Sequence, residues 1–134
     1  MTAELIALLG CAFILFISIL IQGFHTDFSQ GYKYSLGNRD KMPKPETSAT
    51  LRMSNNVRNH VEGLALFIPL ILVLDITQSY SSLSEMGAWT YLASRSAFAV
   101  CYIFGIKVIR SLAWFIGIFG LCLILISLFR VMPG

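Results

Sequence analysis

Long apolar runs, separated by shorter polar stretches, set the pattern of this chain. A helix needs about 20 mainly apolar residues to cross a bilayer. Four such runs follow one another: Ala3 to Phe24, Arg58 to Ile76, Met86 to Ile106 and Ser111 to Phe129. The fourth carries no charge and the first only Glu4 at its very start, whereas the second carries Glu62 and the third Arg95 within the run. The pattern predicts an all-α integral membrane protein, a four-transmembrane-helix bundle forming a single domain over residues 1–134. Four spans leave too little chain for a separate soluble domain.

Composition agrees with this reading. Hydrophobic residues make up 56% of the sequence and mean hydropathy is +0.72, against an apolar share of roughly 45–50% in soluble domains. The first run is not expected to be a cleaved signal peptide. It is longer than a typical signal core, it has no basic residues ahead of it, and Gln22-Gly23-Phe24-His25 is not a small-residue cleavage site.

The distribution of positive charge predicts orientation. Lys33, Arg39, Lys41, Lys44, Arg52 and Arg58 lie between the first two runs, at or before the start of the second. Lys107 and Arg110 lie between the third and fourth, and no Lys or Arg occurs from Gln78 to Glu85. By the positive-inside rule the first and third loops face the cytoplasm and both termini lie outside it, with Arg130 the one dissenter. Basic residues spread along a membrane face give nucleic-acid binding little support. Cys11, Cys101 and Cys122 fall in apolar runs without metal-ligand spacing, which predicts neither disulfides nor a metal site.

Chemistry gathers in the stretch Leu51 to Ile76, where a cationic polar segment passes directly into an apolar one. On a helix, Arg52, Asn55, Asn59 and Glu62 fall within an arc of about 80°, with Arg58 just beyond its edge. His60 lies off that face. Pro69, mid-helix, removes a backbone hydrogen bond and is expected to bend the axis and open a crevice beside Glu62. Asp75, at the far end of the run, is expected to be solvated. In the third run Tyr91, Arg95, Phe98 and Tyr102 share an arc of about 60°. An intramembrane charge costs about 2.5–3.5 kcal/mol, so Arg95 should face protein or a wet cavity, either as a structural or snorkelling group or as a ligand contact. Arg110, at the start of the fourth run, reads by position first as an interfacial anchor. Gly10, Cys11, Ala12 and Ser18 in the first run, and Gly117 and Gly120 in the fourth, are small residues suited to close helix contact. The segment from His25 to Thr50 reads as a polar loop in which Pro43 and Pro45 forbid a continuous helix.

These features resemble the MAPEG family, membrane-associated proteins in eicosanoid and glutathione metabolism. The match rests on RNHVEGLALFIPL in the second run, R-x-x-F-x-x-x-Y in the third, and GIKVIRSLAWF leading into the fourth. GNRD at Gly37 to Asp40 is similar to the small bacterial branch, which implies a bacterial inner membrane. The resemblance implies a homotrimer of four-helix subunits that binds glutathione as co-substrate between neighbours and acts on lipophilic small molecules or lipids. Asn59 and Glu62 match the family's N-x-x-E glutathione contacts, and Arg52 a basic residue upstream. Tyr102 and Arg95 match residues of the third helix, and Arg110 matches the arginine held to stabilise the thiolate. Phe98 stands where eicosanoid-forming members have tyrosine and Asn55 where they have arginine, which points away from leukotriene synthesis.

The implied activity is a glutathione transferase or peroxidase with Arg110 as the catalytic residue. Arg39, Arg52, Arg58 and Arg95 would meet the two carboxylates of glutathione, Glu62 its ammonium, and Asn59 its peptide backbone. Two other readings stay open: a non-catalytic lipid- or partner-binding member of the same fold, and a small transporter using Glu62 as a cation site.

Overall fold

The computed structural model describes residues 1–131. It is helical, with no strand among the described residues: α1 Ala3–Gln30, α2 Tyr32–Leu36, α3 Ser48–Thr77, α4 Ser82–Phe104 and α5 Lys107–Val131. Of these, α1, α3 and α5 are long and apolar enough to cross a membrane.

The helices outrun the apolar runs that predicted them. At 28 residues α1 is about 42 Å long, against a hydrocarbon core of about 30 Å. It continues through His25-Thr26-Asp27-Phe28-Ser29-Gln30, part of the stretch expected to be loop, and stops at Gly31, whose φ of +91° leaves the helical region. Hydropathy ends where the bilayer ends, but a helix ends only where its backbone is broken. The short α2 lies in the same stretch, and after Gly37 the chain is irregular as far as Thr47. Gln30 anchors that loop, donating to the Lys44 carbonyl at 3.0 Å and accepting from the Lys44 amide at 2.9 Å. Similarly, α3 begins at Ser48, ten residues before the apolar run, capped by Thr47 Oγ1.

The third run also forms a helix, α4, but hydropathy alone does not mark it as a span as it does the other three: Ser82, Ser84 and Glu85 open it, and Thr90, Ser94, Arg95 and Ser96 interrupt its apolar surface. Its interior face contributes to the core. Ala7 and Cys11 of α1 meet Leu64, Phe67, Ile71 and Leu74 of α3, Ala88 and Tyr91 of α4, and Leu121, Ile124 and Leu128 of α5.

Glycine brings α4 and α5 together. A Cβ on Gly87 would stand 2.7 Å from the Gly120 carbonyl oxygen, and one on Gly120 would stand 2.8 Å from that of Gly87. Only bare backbones pack that closely. Gly10 likewise admits Leu92, and Gly117 admits Ser94 Oγ. Ala12, expected to be a contact residue, is exposed.

Because α5 packs mainly on α4, it leaves a cleft against α3. Ala65, Leu66, Pro69 and Leu70 line it on one side and Ile118, Leu121, Cys122 and Leu125 on the other, around a volume of about 460 Å³. This is the crevice at the level of Pro69, but it is apolar and Glu62 is not among its lining residues. Large side chains such as Phe13, Phe16, Phe115 and Phe119 face outward, more than half exposed.

At one end of the bundle the polar groups pair with one another. Glu4 is 2% exposed and accepts a hydrogen bond from the fully buried Ser84 hydroxyl. Ser81 and Ser84 form a capping box at the start of α4. Asp75, expected to be solvated, accepts from the Tyr80 hydroxyl, and that bond pushes the tyrosine's pKa above its ordinary value.

Candidate functional site

The opposite end holds the residues singled out in the sequence. A cavity of about 250 Å³ is lined by Asn59 of α3, Phe98 and Tyr102 of α4, and Arg110, Ser111, Trp114 and Phe115 of α5. Three helices therefore contribute to it, and the short turn between α4 and α5 brings two of them together. Gly105, with φ of +72°, ends α4 by donating to Tyr102 O, and Ile106 N–H reaches back to Cys101 O at 2.8 Å. The chain reverses within two residues, so Arg110, one turn into α5, folds back over the last turn of α4. Its guanidinium carbon stands 4.5 Å from the centre of the Tyr102 ring, a cation–π distance.

Asn59 faces these groups from α3 and is itself held from behind. Arg95 Nη1 donates to Asn59 Oδ1 at 3.2 Å. Arg95 is 4% exposed and does not line the cavity. Its guanidinium lies 5.1 Å from the Tyr91 ring and 5.4 Å from the Phe98 ring. Gly63 makes the room: a Cβ there would stand 2.6 Å from Arg95 Nη2 and would also collide with the Tyr91 hydroxyl. Among the described residues Arg95 forms no ion pair, and its Nε is buried without a partner. Removing a guanidinium from water is costly unless it is paired. Here the compensation comes from one amide and two aromatic faces.

The remaining predicted residues do not converge on the cavity within one subunit. Arg52 packs against the α4–α5 turn, where a Cβ on Gly105 would lie 3.5 Å from its Nε. Arg58 is exposed and donates to Asn55 Oδ1 at 3.0 Å. Glu62 is exposed on α3. Arg39 lies in the loop after α2, exposed, with φ of +58° and its Nε donating to Ser35 O at 3.3 Å. His60 lies off the site, as its position on the helix implies. It is 2% exposed, and its Nδ1 meets Asn56 O at 3.0 Å while Asn56 Nδ2 donates to Ser18 Oγ of α1 at 3.1 Å.

The sequence reading missed Ser111, Trp114, Phe115 and Gly63. Trp114 and Phe115 follow Arg110 and Ser111 by four residues each and so continue the same strip of α5, but aromatics in an apolar run read first as lipid-facing. Gly63 carries no signal of its own, since its role exists only opposite Arg95.

A turn that folds an arginine onto a tyrosine, facing the asparagine of an R-N-H-V-E stretch, places the resembling motifs at one site. The MAPEG family sequence model matches residues 4–130. The chain belongs to the MAPEG family. It is an integral, multi-pass membrane protein, as that membership and its apolar helices together establish. A search of curated proteins found no match, so the family is where the comparison stops. For a MAPEG chain, the cavity between α3, α4 and α5 is the natural candidate site, since it gathers Asn59, Tyr102 and Arg110 from all three motifs.

Proposed function

We propose that this protein is a glutathione-dependent transferase or peroxidase of the membrane, acting on lipophilic electrophiles or hydroperoxides. The observation that carries the reading is Arg110 stacked on Tyr102 at the wall of a cavity whose lining includes no carboxylate. A thiol of ordinary pKa, about 8.5, is only a few per cent ionised at neutral pH, and the thiolate is the nucleophile. A fixed guanidinium beside the sulfur favours the ionised form by about 1.4 kcal/mol for each pKa unit. Arg110 lies in the first turn of α5, whose N-terminal dipole acts in the same direction.

In conjugation, the thiolate attacks an electrophilic carbon, forming the C–S bond as the leaving group departs or an epoxide C–O bond opens. In peroxide reduction, it attacks the terminal oxygen of the hydroperoxide, forming an S–O bond as the O–O bond breaks and the departing alkoxide takes a proton from water. The alcohol leaves, and a second glutathione converts the sulfenic acid to glutathione disulfide and water. The apolar cleft at Pro69 gives a lipophilic partner a path from the bilayer along the same α3–α5 interface.

The proposed assembly is a homotrimer in a bacterial inner membrane, with α4 as the fourth span and both termini outside. A neighbouring subunit would cover the exposed Glu62 and Arg58 and bring glutathione's ammonium and carboxylates to them, which explains why they stand idle in one chain. The test is turnover of glutathione with a lipophilic electrophile and with a lipid hydroperoxide by the purified protein. Activity with either, lost in Arg110→Ala, supports the reading. Inactivity with both contradicts it.

A further inference from the structure

The cavity has a fixed polarity, and its origin lies outside the cavity wall. We propose that Arg95 is a positioning residue that makes the pocket a receiver of anionic, hydrogen-bond-accepting groups. It does so by holding Asn59 Oδ1 and so turning the Asn59 N–H groups toward the cavity. The proposal depends on the glutathione reading only for the identity of the anion.

An asparagine amide can present either its oxygen or its nitrogen, and most neighbours tolerate both. A guanidinium tolerates one, because it carries five donors and no acceptor. The contact at 3.2 Å therefore fixes the oxygen on the Arg95 side. Arg95 cannot swing to follow a flipped amide. Its side chain is 96% buried, between the Tyr91 and Phe98 rings and the bare face of Gly63. With the oxygen held behind, Asn59 has only donors left for the cavity it lines. Arg110, on the facing wall, is also a donor only. Tyr102 and Ser111 can adapt, and no lining residue is acidic. Two donors fixed on opposite walls receive an acceptor and reject an ammonium. The charge of Arg95, without an ion pair among the described residues, adds a field of the same sign through a medium that screens it weakly.

Asn59→Asp would give Arg95 a carboxylate partner and the cavity a negative wall. Arg95→Met would release the amide without touching the lining. Both are read in a Trp89→Phe background, so that emission comes from Trp114 in the cavity wall. Iodide reports access of an anion and acrylamide access of a neutral molecule of similar reach. The expected result is a parent protein quenched by iodide in preference to acrylamide. That preference is lost in Asn59→Asp and reduced in Arg95→Met, with acrylamide quenching unchanged. The thermal midpoint of Asn59→Asp should be held or raised, which a merely structural role for Asn59 would not give. An iodide preference retained in both variants overturns the proposal, and if one variant fails to fold the other decides. Glutathione titrated into the same proteins separates the two claims. Iodide preference lost as expected, in a protein that does not bind glutathione, overturns the glutathione reading and supports the role of Arg95.

Discussion

The two ends of the bundle treat their polar residues in opposite ways. At the Glu4 end, a buried carboxylate, two serines, a tyrosine and an aspartate satisfy one another: Ser84 with Glu4, Ser81 with Ser84, Tyr80 with Asp75. At the Arg110 end, three arginines lie close to helix-packing surfaces and none forms an ion pair among the described residues. Arg110 leans on a ring, Arg95 on an amide and two rings, and Arg52 on a glycine turn, with the Nε atoms of Arg52 and Arg95 buried without partners. Paired polar groups hold helices together. Unpaired cations around a cavity leave a charge for something else to neutralise, and in the proposed account that is the thiolate and carboxylates of glutathione.

The contrast can be broken from either side. The largest effect is expected at Arg110. Removing a charge-stabilising donor from an active site commonly lowers kcat by about 10²–10³, and Arg110→Ala should do so while leaving the thermal midpoint nearly unchanged, as measured by turnover and by thermal unfolding of the same preparation. Gly63→Ala comes next. The added methyl meets Arg95 and Tyr91, and overpacking of this kind costs about 1–3 kcal/mol. Because Arg95 is displaced, glutathione affinity by calorimetry should fall along with stability. Glu4→Ala tests the closed end by removing the link from α1 to Ser84, whose hydroxyl keeps the Ser81 carbonyl as acceptor at 2.8 Å. The loss of one net hydrogen bond, about 0.5–1.5 kcal/mol, should lower the thermal midpoint with glutathione affinity intact.

The smallest effect belongs to Tyr80. Its hydrogen bond to Asp75 raises its pKa, so the folded chain holds that proton more tightly than the unfolded one. The contribution is complete below about pH 10, the ordinary tyrosine value, and is lost as pH rises through the raised value. Tyr80→Phe should remove this alkaline dependence, read as the difference between the two proteins' unfolding midpoints across that range.

Much of this was legible in the sequence, for reasons that differ between residues. The apolar runs located α1, α3 and α5, because bilayer thickness imposes a length that composition records. Helix ends were not legible, since α1 runs on to Gly31 for reasons of backbone geometry alone. The shared arcs put Asn59 on one face of the second run and Tyr102 on one face of the third, but that these two faces meet at one cavity came from the structure. Sequence could not show that Arg95 would sit behind Asn59 rather than in the cavity, because that depends on the absence of a Cβ at Gly63 on another helix. Nor could the pairing of Asp75 be read, since Tyr80 reaches it only through the turn between α3 and α4. Helix periodicity gives the faces of each element. What two faces do to each other depends on side chains that share no periodicity.

The most direct test of the central claim is a near-ultraviolet difference spectrum recorded as glutathione is added to the detergent-solubilised protein at neutral pH, with Arg110→Ala in parallel. The account predicts thiolate absorbance in the wild-type protein and its loss in the variant. Glutathione bound with no thiolate band, or an equal band in both proteins, would contradict it.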